Sequence, residues 1–164
     1  MAANLRERFL ELPDDARKQV HQYLCAQALE GWQKYTDEFK RITYNDSVVG
    51  MFHVVDLQLP ADAFNAAFLP PATNHQTAIA EIDYRYQEPM TALQTWDLEF
   101  PDNIQLGYYS IYNAFRKYAR AEPMDDWLIV NQALSVATNE RNWNRTLEAA
   151  IQQVARCNTA GERT

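Results

Sequence analysis

The sequence predicts an all-α fold: a single compact, irregular bundle of about seven or eight helices. Three observations predict it. Apolar residues recur at spacings of three and four, sustained period-two alternation is missing, and proline separates the periodic segments. There are seven prolines and four glycines, and no Asn-Gly or Asp-Gly pair marks a hairpin. A chain of 164 residues matches one domain. That domain is expected over 1–157, with a frayed polar tail over 158–164.

Residues 2–12 read as a short helix with Leu5, Phe9 and Leu12 on one side. Pro13 restarts the chain, and Asp14 and Asp15 follow where a helix N-terminus favours acids. The stripe Val20, Leu24, Ala28, Trp32, Tyr35 and Phe39 then defines a long amphipathic helix. Its opposite face holds Lys18, Gln22, Gln33 and Lys40. Gly31 weakens this helix by about 1 kcal/mol relative to alanine and leaves room for a neighbouring helix.

The stretch 45–59 fits two descriptions. Apolar positions 48, 49, 51, 52, 55 and 59 suit a helix capped by Asn45, Asp46 or Ser47. Its β-branched valines also suit a strand. Because the apolar residues come in adjacent pairs, the expectation is a helix, broken at Pro60.

Residues 61–69 read as a short helix with Phe64 and Phe68, ended by Pro70 and Pro71, and 72–77 as a loop. A helix over 78–88 carries Ile79, Ile82 and Tyr86. Pro89 interrupts or restarts it, and Met90, Leu93 and Trp96 continue its apolar side. After a connector over 97–101, Asp102 and Asn103 open a helix with Ile104, Tyr108, Ile111, Tyr112 and Phe115. It ends in Arg116, Lys117 and Arg120, where cations suit the dipole. A helix over 124–138 holds Trp127, Leu128, Ile129 and Leu134. Thr138 or Asn139 caps the last helix, with Trp143, Leu147, Ile151 and Val154.

Net charge is −7 and the isoelectric point about 4.9, which argues against nucleic-acid binding. The charge is unevenly placed. Residues 1–41 are net neutral and 116–164 net +1, whereas 42–115 hold nine acidic residues and one base, Arg85. A dense acidic stretch serves either as a solvated face or as a docking face for a cationic partner. Cys25 and Cys157 lie far apart outside any Cys-x-x-Cys pair, the N-terminus lacks an apolar signal region, and no apolar run approaches a membrane span. A cytoplasmic protein is the expectation.

Chemistry-bearing patterns are sparse. Spaced glycines exclude phosphate loops and nucleophile elbows. His53 and Asp56 stand three apart, so in a helix they share a face, with Glu81 as a further ligand for a metal-dependent enzyme. No Glu-x-x-His pair supports that alternative. Neither a catalytic set nor a cofactor is expected. The stronger pattern is acid beside tyrosine: Glu81, Asp83, Glu88, Asp97, Glu99 and Asp102, followed by Tyr108 and Tyr112. Carboxylates speed encounter with a basic partner and tyrosines anchor it. A third alternative is a self-associating structural or regulatory domain, a homodimer through exposed aromatics.

Three stretches carry a resemblance: DLEFPDNI at 97–104, YYSIYN at 108–113 and DWLIVNQAL at 126–134. They resemble small acidic helical immunity proteins of bacterial polymorphic toxin loci, over less than a fifth of the chain. The resemblance implies tight, non-catalytic inhibition of a nuclease-like or otherwise cationic toxin, with acidic side chains mimicking phosphate.

Overall fold

The computed structural model describes residues 4–46, 48–71, 73–137 and 140–161. Asn4 starts α1 (Leu5–Leu10) with a reciprocal cap. Its side chain accepts from the Arg6 N–H at 3.0 Å, and its own N–H donates to the Glu7 carboxylate at 3.3 Å. Pro13 fixes the entry to α2 (Asp14–Phe39), whose first turn holds Asp14 and Asp15. The expected stripe is the buried face of α2 as far as Trp32; Tyr35 is half-buried and Phe39 lies in solvent. Lys40, at φ 51°, stops the helix and donates its N–H to the Thr36 carbonyl.

The helix expected over 45–59 does not form. Instead β1 (Thr43–Asp46) and β2 (Met51–Val54) pair antiparallel, with Tyr44 opposite His53. Asp46 carries the local reason. Its carboxylate accepts from the Val48 N–H at 2.8 Å, closing a turn rather than opening a helix. Gly50 then takes φ 67°, a left-handed conformation that glycine adopts without penalty, and its N–H donates to the Asp46 carbonyl. Ser47, another expected cap, lies outside the described residues.

The remaining elements are α3 (Leu59–Phe68), α4 (His75–Thr95), α5 (Asp102–Tyr118), α6 (Asp126–Leu134) and α7 (Glu140–Gly161). Among the described residues these make a mostly helical domain of seven helices with one small hairpin. Several boundaries differ from expectation. Pro60 sits in the first turn of α3, where its missing N–H costs nothing. Residues 75–77 belong to α4, which continues through a buried Pro89. Packing of that ring offsets the lost backbone bond. Helix α7 continues past residue 157 to Gly161, although 155–161 are exposed on every side. The caps expected at Thr138 or Asn139 lie outside the described residues.

Two apolar clusters share α2. One joins its C-terminal half to the base of the hairpin, α3, α4 and α5 around Trp32, Tyr86, Tyr108 and Phe115. The other joins its N-terminal half to α1, α6 and α7 around Phe9, Leu24, Val130 and Leu147. Between them α2 and α5 approach closely: a Cβ on Gly107 would stand 3.4 Å from those of Ala28 and from Val136, and one on Gly31 would stand 3.2 Å from Val136. The room that Gly31 leaves is thus filled by Val136. A bidentate Arg8–Glu148 pair, at 2.7 and 2.9 Å, ties α1 to α7. No helix among the described residues is long and apolar enough to cross a membrane.

Candidate functional site

The carboxylates singled out from the sequence do not form one face. On α4, Glu81 and Glu88 lie within about 20° of each other, whereas Asp83 is turned about 200° from Glu81. Asp83 is also neutralised, by Arg120 beyond the end of α5. Asp97, Glu99 and Asp102 sit beyond the C-terminal end of α4, roughly 20 Å along that helix from Glu81. Arg85, the lone base of the segment, pairs with Asp56 at 2.7 Å and Asp62 at 2.8 Å rather than with Glu88 or Asp97.

The two tyrosines chosen as anchors are corrected. Tyr108 is 1% exposed and packs among Trp32, Tyr86 and Phe100 in the core, so its ring cannot meet a partner. Its position on the buried side of α5 follows from the same periodicity that predicted the helix. Tyr112 is half-buried, its ring tilted against that of Tyr86 at 4.6 Å between centroids, with Arg116 over it. The exposed tyrosine is Tyr84, on α4 near Glu88 in sequence.

The metal reading loses its premise. His53 lies on β2 and Asp56 on the connection that follows, so the two do not share a helix face. His53 Nδ1 donates to Glu88 at 2.9 Å, while Nε2 lies 3.7 Å from Asp46 on the other side of the ring, so the two carboxylates converge on no common point. Glu81 instead borders a cleft of about 420 Å³ between α3 and α4, with Ile82 in its wall. Among the described residues no group of three histidine, cysteine or carboxylate side chains is placed to hold a metal ion.

Three of the acidic groups do meet, at the hairpin. The inner face of the sheet holds Tyr44, Asp46, Met51 and His53. Tyr44 and His53 lie side by side and nearly parallel to Trp96, which closes the C-terminus of α4. Glu88 reaches up from α4 to His53, and Asp97 accepts the Asn45 N–H at 2.7 Å. Burial, with the Glu88 carboxylate beside it, pushes the Tyr44 hydroxyl above the ordinary tyrosine range. Asp46, Glu88 and Asp97 therefore border the hairpin without a lysine or arginine partner among the described residues.

The same hairpin carries bare apolar side chains at its turn, at Phe52 and Val54 on the outer face, and at Met51. Val48, Val49, Met51, Phe52 and Val54 are 53–81% exposed, the densest run of exposed apolar side chains among the described residues. Sequence reasoning missed this surface. The available signal was Val48-Val49-Gly50: two valines followed by a glycine, between runs rich in β-branched and aromatic residues.

No family model matches the chain, nor does any curated protein or solved structure.

Proposed function

We propose that this chain is a non-catalytic binding protein whose β-hairpin, bordered by Asp46, Glu88 and Asp97, docks a basic protein partner. A toxin-neutralising, immunity-type inhibitor is the specific form that the sequence resemblance implies. One observation carries the reading: five solvent-facing apolar side chains on a single hairpin stand beside carboxylates that no lysine or arginine neutralises. Apolar contact supplies affinity once water is displaced, while uncompensated charge selects a cationic partner and speeds its approach. Glu99 and Asp102, both exposed, extend the same field.

The test starts with the protein encoded beside this one, co-expressed and purified with it. Phe52→Asp should lower affinity at least tenfold. Glu99→Lys combined with Asp102→Lys should slow association several-fold at low ionic strength, with the difference closing at high salt. Helical content and melting temperature should stay unchanged in both variants. A neighbouring product that binds with equal affinity and rate to both variants would show that this surface is not used.

A further inference from the structure

We infer that the outer edge of β2 is a strand-addition site, on which an extended basic segment of the partner pairs its backbone with Phe52 and Val54. The inference rests on the binding reading above and specifies how that surface is used. Hydrogen-bonded and non-bonded pairs alternate along an antiparallel ladder. The Val55 N–H donates to the Ile42 carbonyl at 2.8 Å, so 42 and 55 are a bonded pair. Tyr44–His53 and Asp46–Met51 are then bonded, and Thr43–Val54 and Asn45–Phe52 are not. The Asn45 N–H confirms this phase, since it points away from β2 to Asp97.

It follows that Phe52 and Val54 turn their N–H and C=O groups outward from the hairpin. Among the described residues nothing bonds them. The two edges differ: on β1 the Asp97 carboxylate takes the Asn45 N–H, whereas on β2 both outward N–H groups are open. Edges left open are ordinarily blunted by lysine, proline or a bulge, and β2 reads Met-Phe-His-Val with none of these.

The two faces of the sheet say what an added strand would carry. On the outer face its side chains would lie beside Phe52 and Val54, 76% and 53% exposed. On the inner face they would lie beside Met51 and His53, close to Glu88 and Asp46. Alternation of apolar and cationic residues satisfies both faces. A second copy of this chain fits badly, because pairing β2 with β2 brings its Glu88 and Asp46 toward their own copies, in a chain of net charge −7.

The probe is an acetylated, amidated octapeptide of alternating valine and lysine, added at low ionic strength to isotope-labelled protein. At saturation, hydrogen exchange at the Phe52 and Val54 amides should slow at least tenfold. Val54→Pro removes one outward N–H without touching the ladder bonds, and should weaken the peptide at least tenfold. A peptide N-methylated at alternate residues tests the same bonds without altering the protein, and should not bind. Binding that leaves both amides unchanged, with the methylated peptide equally good, overturns strand addition and leaves the basic-partner reading standing. No binding at millimolar peptide overturns strand addition. Equal binding of a valine–glutamate peptide overturns it too, and removes the charge argument behind the function. Amides already protected in the free protein, in proportion to its concentration, would assign the edge to a second copy and overturn the inference.

Discussion

Two histidines mark two regions of this molecule that treat polar groups in opposite ways. His21 is fully buried where α2 meets α5 and α6. Its Nδ1 accepts the Tyr118 hydroxyl at 2.6 Å and its Nε2–H donates to the Asp126 carbonyl at 2.9 Å, so both ring nitrogens are satisfied. Around it Asp126 holds Lys117 at 2.7 Å and Arg17 at 3.3 Å. At the hairpin, His53 is bonded on one side only, its acidic neighbours lack lysine or arginine, and apolar side chains face water. Closed networks of the first kind fix helices against each other. The second kind leaves free energy to be gained on contact with another molecule.

Core truncation should separate the regions most sharply. Trp32 is 1% exposed, and its Nε1–H donates to the Leu57 carbonyl at 2.9 Å. Trp32→Ala should lower unfolding free energy by about 3–5 kcal/mol in a urea titration. Phe52→Ala removes a large ring too, yet should change stability by less than about 0.5 kcal/mol. A large loss at Phe52 would mean that the hairpin packs against the body and is not free to bind.

Acid probes the closed region next. Burial holds the His21 imidazole down at about 4, against an ordinary 6.5, although the Asp126 contacts oppose the shift. The folded state therefore takes up its proton later than the unfolded chain. This contribution is whole above pH 6.5 and is lost as pH falls toward 4. Across that window it amounts to on the order of 3 kcal/mol. Chemical denaturation at a series of pH values should show the decline. His21→Leu should flatten it while lowering stability near pH 7 by about 1–3 kcal/mol, since the Tyr118 hydroxyl and Asp126 carbonyl lose their partner. An unchanged pH profile in that variant would remove His21 as its source.

These contrasts also explain what was legible in the sequence. Helical periodicity records which side chains are buried, so it located the apolar faces of α2, α5 and α7, where Leu24, Ile111 and Leu147 are indeed inside. It failed over 45–59 because only Val55 and Leu59 of its apolar positions are buried, whereas 48, 49, 51 and 52 are 60–81% exposed. Read as a core stripe, a run of exposed apolar side chains looks like a helix. The acidic residues were visible as a group, but their pairing was not: Arg120 reaches Asp83 across 37 positions, and the Asn45 N–H reaches Asp97 across 52. Composition, which marks Tyr108 and Tyr112 as anchors, is silent about direction, whereas the α5 pattern itself puts Tyr108 inside.

A small effect on stability is expected at the seam between the regions. Asp97 is exposed and makes one charge-assisted bond, to the Asn45 N–H. Asp97→Ala should cost less than about 1 kcal/mol in global stability. Its local effect should be larger, because the carboxylate covers one of the two outward N–H groups of β1, that of Asn45. Exchange at the Asn45 amide should accelerate at least tenfold. With both hairpin edges then open, the variant should self-associate at concentrations where the parent stays monomeric, as read by light scattering across a dilution series. Asp97→Asn keeps an oxygen acceptor and should stay closer to the parent in both measurements, which separates loss of the bond from loss of the charge. Unaltered exchange at Asn45 in Asp97→Ala would show that the backbone pairing of the hairpin holds β1 without this cap, and the difference between a capped β1 edge and an open β2 edge would fall with it.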